Sequence, residues 1–315
     1  MFRVLLLSML VAACAREGES PSRVGSSAPP RLGALATMAA ERHSEIAGPA
    51  GFVDTDECDS LTRSALIAAA GLPVDVRAAE DPERPGRWYR RPMSLPECFE
   101  AGESRSTISR DPLLSVMWWA WSTRDAAVVR DLWRYGEARN WVMGDDDIGG
   151  AHTILNANMI VLLAKLCGAL EANCSASARR WSWLPPVWTG TAEGYVRVLE
   201  TLQIALFSEI DGYAPHGGLD RLWRHAGEQP WNPLFVTALA AQGLADPAQI
   251  DARLEAMGYP NDRLPTSAEW CSGWPVEVEE AANFKSCPAE ERTHSAGEIH
   301  FMVRLLTRRP IQGGW

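Results

Sequence analysis

Residues 106–121 read STISRDPLLSVMWWAW, and this stretch decides the class of fold. Proline directly after Asp111 is typical of a helix start, because the first turn of a helix has backbone amides without partners and tolerates proline. Successive residues of a helix are rotated by about 100°, so the three tryptophans that follow point in different directions and at least one must face a core. The stretch therefore predicts a helix that Asp111 caps and that enters the interior.

Apolar residues recur at helical spacing along most of the chain. A stripe with i, i+3, i+4, i+7 spacing follows Tyr195, a second occupies residues 125–139, and a shorter one occupies residues 300–306. The apolar stretch 154–170 contains asparagine and lysine, which favours a core helix over a membrane span. Alternation typical of strands is nearly absent. We therefore predict one all-α domain over residues 51–315, with roughly nine or ten helices in hairpins.

Two more helix starts are marked by a capping side chain before proline. Asn232 precedes Pro233, and Asp246 precedes Pro247. Asparagine and aspartate are preferred caps, and proline fits the first helical position. Gly258 is a plausible end for the second of these helices.

The first fourteen residues have a distinctive order of charge, apolar residues and small residues. A positive MFR start is followed by the apolar run Val4–Leu10 and then by VAAC, in which small residues precede Cys14. This pattern resembles the lipobox of bacterial lipoproteins. The resemblance implies that residues 1–13 are a signal peptide and that Cys14 carries lipid, which anchors the chain to a membrane of the cell envelope, the outer membrane in a diderm cell. The alternative is an ordinary secretory signal with Cys14 unmodified.

Residues 14–50, rich in Ser, Pro, Gly and Ala, are predicted to form a flexible tether.

Six cysteines remain beyond Cys14, and an even number in an exported chain indicates disulfides. Pairing neighbours along the chain gives three predicted bridges, and the alternative is that some of these cysteines are buried free thiols. The predicted bridges are Cys58–Cys98, Cys167–Cys174 and Cys271–Cys287.

Charge and motif content exclude several classes of function. The net charge of −10 argues against a nucleic-acid partner, because phosphate backbones bind basic surfaces. The chain has no P-loop, no GxSxG elbow and no HExxH zinc motif, and its six histidines are scattered. We therefore predict no metal and no cofactor.

Charged and aromatic residues gather at one predicted loop end. The predicted helix over residues 125–139 is followed by NWVMGDDDIGGAH, residues 140–152. In a helical hairpin the start of the first helix and the end of the second lie at the same end, so Arg110 and Asp111 are expected near residues 145–152. Carboxylates brought together there can supply general acid and base for glycosidic cleavage, and tryptophan can stack on sugar rings. The candidate catalytic residues are Glu103, Asp111, Asp145 and Asp146, and the candidate substrate-binding residues are Arg105, Arg110, Trp141, His152 and Trp231.

An exported, Trp-rich domain of helical hairpins with acids at its loop ends resembles the (α/α) toroids of glycoside hydrolases and polysaccharide lyases. The resemblance implies a partial toroid, and an irregular bundle is the alternative.

Two functions are compatible with these sequence features. The first is a non-catalytic binding or scaffold lipoprotein of the envelope, with a glycan or an envelope protein as partner. The second is a glycan hydrolase or lyase that uses the carboxylates above.

Overall fold

The computed structural model describes residues 28–52, 60–92, 108–144, 153–190, 192, 195–230, 232–256 and 297–307. Over these residues the chain is all-α, as predicted, and two isolated antiparallel bridges, Glu80 with Trp88 and Val142 with Ile154, are its only β pairing. The α-helices are α1 (Pro30–Ile46), α2 (Ser60–Ala69), α3 (Arg110–Thr123), α4 (Ala126–Ala138), α5 (Ala157–Ala169), α6 (Ala176–Ser182), α7 (Tyr195–Asp211), α8 (Gly218–Glu228), α9 (Pro233–Ala241), α10 (Ala248–Ala256) and α11 (Gly297–Thr307).

The helices form an inner and an outer set. The inner helices α2, α3, α5, α7, α9 and α11 contact one another in sequence, and α11 returns to α2. All ten residues of α2 are buried, as are most residues of α3, α5 and α9. The outer helices α4 and α8 bury only one face, which is the pattern of an amphipathic helix laid on a core. This alternation agrees with the predicted arrangement of helical hairpins.

The inner helices α3, α5, α7 and α11 run in the same direction, because their C-terminal ends meet. The Trp121 indole near the end of α3 donates to Glu209 of α7 at 2.8 Å. Arg304 of α11 reaches the same carboxylate with two hydrogen bonds, at 2.9 and 3.2 Å. Lys165 of α5 pairs with Asp211 of α7 at 3.0 Å. We call this region, defined by these five residues, the closed end.

The tryptophans of the stretch quoted above are all buried, so the core prediction holds for each of them. Trp118 is fully buried, its indole N–H donates to the Leu202 carbonyl at 3.1 Å, and its ring meets Phe301 edge-on at 4.8 Å. A buried indole needs such an acceptor, because an unpaired polar group in the interior costs free energy. Arg304 also lies over the Trp118 ring, 4.9 Å from its centre.

The predicted tether to residue 50 is wrong over Pro30–Ile46, where the chain forms α1. Leu32, Leu35 and Ala39 of α1 are fully buried against the core. The first amides of α1 are satisfied from far along the chain: Arg31 N and Leu32 N donate to the Asp251 carboxylate of α10 at 2.9 and 3.0 Å. The tertiary contacts therefore hold a helix that local composition did not predict. Residues 1–27, with the predicted signal peptide and Cys14, lie outside the described part of the chain.

The helix caps give two confirmations and one correction. The Asn232 side chain accepts from Leu234 N at 3.0 Å, and the Asp246 side chain accepts from Ala248 N at 2.9 Å, as predicted. Asp111, by contrast, is not the cap of α3, because Ser109 has the extended backbone of an N-cap residue and the helix starts at Arg110. Proline still fits, since the first amides of a helix have no intrahelical partner. Gly258 lies beyond the described end of α10.

The predicted Cys167–Cys174 disulfide is present. It joins the end of α5 to the residue before the α6 cap, and the two cysteines, seven positions apart along the chain, fasten two neighbouring helices. The cysteines at 58, 98, 271 and 287 lie outside the described residues, so those two bridges stay predictions. None of the helices in the described ranges is long and apolar enough to cross a bilayer.

Candidate functional site

The structure contains a cleft where the N-terminal ends of three inner helices meet. Arg110 and Leu114 of α3, Met159 of α5, and Leu199 and Gln203 of α7 lie on its walls. Its volume is about 380 Å³, which falls in the size range of small-molecule sites. Helix N-terminal ends carry free amides and a partial positive charge, so this end of the molecule favours polar or negatively charged groups. We call this region the open end.

One wall of the cleft is a segment of irregular chain after α6. Val187, Trp188 and Thr189 line the cleft from this segment. The Asn158 side chain fixes it with two hydrogen bonds, accepting from Val187 N at 2.8 Å and donating to Val187 O at 3.1 Å. The Trp188 indole N–H donates to the His216 carbonyl at 3.2 Å, which sets the orientation of the ring. The wall is therefore held in place by the Asn158 side chain of α5 and by the backbone carbonyl of His216.

The polar side of the cleft is built from the first turns of α7. Glu200 lines the cleft, and the buried His225 of α8 lies behind it, with its Nε2 at 3.1 Å from Glu200 Oε2. Arg221, one turn earlier on α8, is 3.8 Å from the same oxygen. Gln203, one turn further along α7, is 5% exposed and also faces the cleft. Two basic side chains thus hold the Glu200 carboxylate in position from behind.

Of the predicted site residues at the start of α3, one lies at this cleft. Arg110 is exposed and lines it. Asp111 is half-buried, accepts a hydrogen bond from the Ser109 hydroxyl and is not part of the cleft wall. Its carboxylate complements the dipole of α3 from the first turn, which is a structural role. The assignment of Asp111 as a catalytic acid receives no support from this position.

The prediction that Arg110 and Asp111 lie near residues 145–152 falls outside the described residues, although the neighbouring residues Ile108 and Gly144 are close together. A Cβ placed on Gly144 would lie 3.3 Å from the backbone N and O of Ile108, so the two backbones touch. The far end of the loop returns to the same place, since Met143 N donates to Thr153 O at 2.8 Å. The loop residues Asp145, Asp146 and His152 lie outside the described residues, as do Glu103, Arg105 and Trp231.

Trp141 packs inside a cluster of indoles. Its ring meets Trp133 at 4.8 Å and Trp181 at 6.5 Å, both edge-on, and a Cβ on Gly136 would lie 2.7 Å from it. Trp141 also has a positive φ of 69°, which the surrounding contacts must hold in place. The ring therefore braces α4 against α6, and its predicted role in stacking on a ligand receives no support.

The charged approach to α3 is also structural where it is described. Burial would raise the pKa of Asp81, but hydrogen bonds from the Tyr89 hydroxyl, Glu83 N and Arg84 outweigh it and hold that pKa below its usual range. Burial first, and then the hydrogen bond to Asp81, raise the pKa of Tyr89 to about 12. Both side chains are buried, so this polar cluster stabilises the segment before α3 and offers no open binding surface.

The cleft residues that the sequence analysis missed are Asn158, Trp188, Glu200 and Gln203. They come from three separate segments, and each has an ordinary local explanation as part of a helix face or a loop. The available signal is the segment 181–188, WSWLPPVW, which places three tryptophans around a Pro-Pro pair between helices. Among the described residues, no group of three His, Cys, Asp or Glu side chains has the arrangement of a metal site.

Comparison of the chain with protein-family models, with curated proteins and with solved structures finds no match. The functional conclusion therefore depends on the chemistry of the cleft.

Proposed function

We propose that this protein is a lipid-anchored envelope protein whose helical domain binds a saccharide-like ligand in the cleft at the open end, without cleaving it. The proposal depends on the cleft, which combines the Trp188 indole with the planar polar groups of Glu200 and Gln203. The anchor is the lipid that the lipobox resemblance implies at Cys14.

The residue types in the cleft suit a polyhydroxylated ligand. The Trp188 ring supplies an apolar face against which the C–H side of a sugar ring stacks. The amide of Gln203 and the carboxylate of Glu200 supply acceptors and a donor for hydroxyl groups, and His225 holds the Glu200 carboxylate in position. Arg110 at the rim adds a donor that favours acidic or phosphorylated saccharides.

The carboxylate count favours binding over cleavage. Glycosidic hydrolysis uses two carboxyl groups on opposite sides of the scissile bond. Among the described residues that line the cleft, Glu200 is the one carboxylate. Its Oε2 lies 3.1 Å from His225 Nε2 and 3.8 Å from an Arg221 nitrogen, so this carboxylate is already engaged by two side chains of α8.

A glycan-active enzyme is the second candidate, and the hydrogen bond between Glu200 and His225 favours it. A carboxylate that a buried imidazole orients is an arrangement that general-base catalysis uses. In this reading Glu200 would be the base of a lyase or hydrolase, and a second acid would come from residues beyond the described ranges, such as Asp145 or Asp146.

The test measures binding and cleavage on one set of proteins. The full chain carrying Cys14→Ser, which cannot take lipid, is titrated calorimetrically with muropeptides, chitooligosaccharides and acidic oligosaccharides. The same mixtures are followed for new reducing ends and for unsaturated-sugar absorbance. Trp188→Ala and Gln203→Ala are expected to weaken binding at least tenfold, and Trp223→Ala, a change of an exposed indole outside the cleft wall, is the matched control.

The outcomes separate the two candidates. Saturable binding that both cleft variants weaken, with no new reducing ends or unsaturated products, supports the binding function. Product formation that stops in Glu200→Gln supports the enzyme instead. Equal binding in the cleft variants and in Trp223→Ala rejects the cleft as the site.

A further inference from the structure

A second surface of the molecule combines exposed apolar side chains with a positive charge, whereas the chain as a whole is acidic. It is the segment 179–187, RRWSWLPPV, at the end of α6 and in the loop that follows. Trp183 is 83% exposed, Leu184 47% and Val187 61%. Soluble surfaces seldom present a large aromatic and two aliphatic side chains within five residues, and such patches mark contact sites.

The loop presents these side chains from a firm base. The Val187 backbone is held on both sides by the Asn158 amide, at 2.8 and 3.1 Å. Pro185 and Pro186 fix the backbone φ between Leu184 and Val187, which limits the conformations of the exposed part. Because α5 holds Val187 through Asn158, the fold itself keeps Trp183 exposed.

The charges beside the loop identify the kind of surface it fits. Arg179 and Arg180 are both exposed and occupy the last turn of α6, directly before the apolar residues. They form a local positive patch in a chain whose net charge is −10. Tryptophan and leucine beside arginine are the side chains that proteins place at a membrane interface, where the indole sits at headgroup depth and the guanidinium meets phosphate.

We propose that segment 179–187 contacts the surface of an anionic lipid bilayer, with Trp183 and Leu184 at the boundary of the acyl chains and Arg179 and Arg180 on the lipid phosphates. The rest of the acidic domain is repelled by such a surface over a Debye length of about 8 Å, so the patch also decides which face of the domain points to the membrane. This contact is separate from the lipid on Cys14, and it adjoins the cleft at Val187, which also lines the cleft wall.

The position of the predicted anchor supports a bilayer as the occupant. Between Cys14 and the first described residue, residue 28, the chain has thirteen residues, which reach at most about 45 Å when extended. A lipid on Cys14 therefore keeps segment 179–187 at a high effective concentration near the bilayer, so a contact of modest intrinsic affinity is occupied.

The experiment reads out Trp183 in place. The full chain carrying Cys14→Ser is oxidised briefly by hydroxyl radicals, alone and with excess vesicles of phosphatidylcholine and phosphatidylglycerol at 7:3, and oxidation of each tryptophan is quantified by peptide mass spectrometry. Trp223, which is 51% exposed on α8, is the internal reference. We expect the vesicles to lower the Trp183-to-Trp223 oxidation ratio at least threefold.

Charge-reversed and neutral controls complete the test. When Arg179→Glu and Arg180→Glu are added to the Cys14→Ser chain, or when the Cys14→Ser chain meets pure phosphatidylcholine vesicles, the ratio is expected to change less than 1.5-fold. A ratio that excess anionic vesicles leave unchanged in the Cys14→Ser chain overturns the proposal. A drop of equal size in the charge-reversed variant also overturns it, because the arginines would then have no part in the contact.

Discussion

The two ends of the inner helices differ in how their polar groups are used. At the closed end, Glu209 is enclosed by the Trp121 indole and the Arg304 guanidinium, and Lys165 and Asp211 satisfy each other. At the open end, Arg110 is exposed, and Glu200 and Gln203 line a cleft. The difference teaches that polar groups of one bundle divide into those that complete the core and those that remain available to a ligand.

The largest expected effect comes from opening the closed end. Arg304→Met removes the guanidinium from the Glu209 carboxylate, whose side chain is only 9% exposed. Removing one partner of a buried ion pair leaves a poorly solvated charge, so we expect a loss of about 3 kcal/mol in the free energy of unfolding. Urea denaturation followed by circular dichroism measures it. Glu209→Gln/Arg304→Met should recover at least half of the loss, and a loss below about 1 kcal/mol in the single variant would contradict the comparison.

The next effect concerns the buried hydrogen bond between Tyr89 and Asp81, which lies away from both ends and, like the closed end, is expected to stabilise the fold. Because the pKa of Tyr89 is raised from 10.0 to about 12 in the folded protein, the unfolded chain ionises first as the pH rises, and stability falls between these values. At pH 11 the loss is about 1.4 kcal/mol. The free energy of unfolding of wild type and of Tyr89→Phe, measured at pH 8 and pH 11, tests this loss. An equal change with pH in the two proteins would contradict the raised pKa of Tyr89.

A smaller effect compares two residues at helix starts. Asn232 caps α9 through its bond with Leu234 N, so Asn232→Ala is expected to cost about 1 kcal/mol. Asp111 lies inside the first turn of α3, and Asp111→Asn keeps an oxygen that can accept from the Ser109 hydroxyl while removing the charge that complements the helix dipole, so this change should cost about 0.3 kcal/mol. Both are read from urea midpoints. A larger cost for Asp111→Asn than for Asn232→Ala would restore Asp111 as the capping residue.

The smallest effect belongs to the open end. Arg110 is exposed at the cleft, so Arg110→Ala should change the free energy of unfolding by less than about 0.5 kcal/mol. The same variant should weaken binding of acidic oligosaccharides more than of neutral ones. A loss of stability above about 1 kcal/mol would mean that Arg110 belongs to the packed structure, and the contrast between the two ends would fail.

The sequence predicted the features that are written locally. Helical spacing located α4, α5, α7 and α11, and a capping side chain before proline located α9 and α10, because both signals act within one or two turns. The same local rule misplaced the start of α3, since Ser109 takes the cap position two residues before Asp111. Local signals thus locate a helix better than they fix its first residue.

The features that sequence reasoning missed depend on distant contacts. Helix α1 lies in a Ser-, Pro- and Ala-rich segment, and its buried leucines and the cap from Asp251 belong to the tertiary structure. The cleft joins Asn158, Trp188 and Glu200, which are separated along the chain and share no periodic pattern. Helical spacing correctly predicted an all-α fold. The candidate site residues Asp111 and Trp141 came from the charged loop end, and the structure shows a dipole partner and a packing residue at these positions.

The cap that Asp251 places on α1 has a consequence for the order in which the domain forms. The two hydrogen bonds join residues 220 and 219 positions apart, so α1 is completed by a side chain that the ribosome adds long after α1 itself. Contacts of such long sequence separation slow folding, because the intervening chain must be ordered before they are made. A growing chain that has emerged only to residue 240 has α1 without its carboxylate and without α10 to pack on. The order of synthesis therefore delays the completed packing of α1 until α10 has been made.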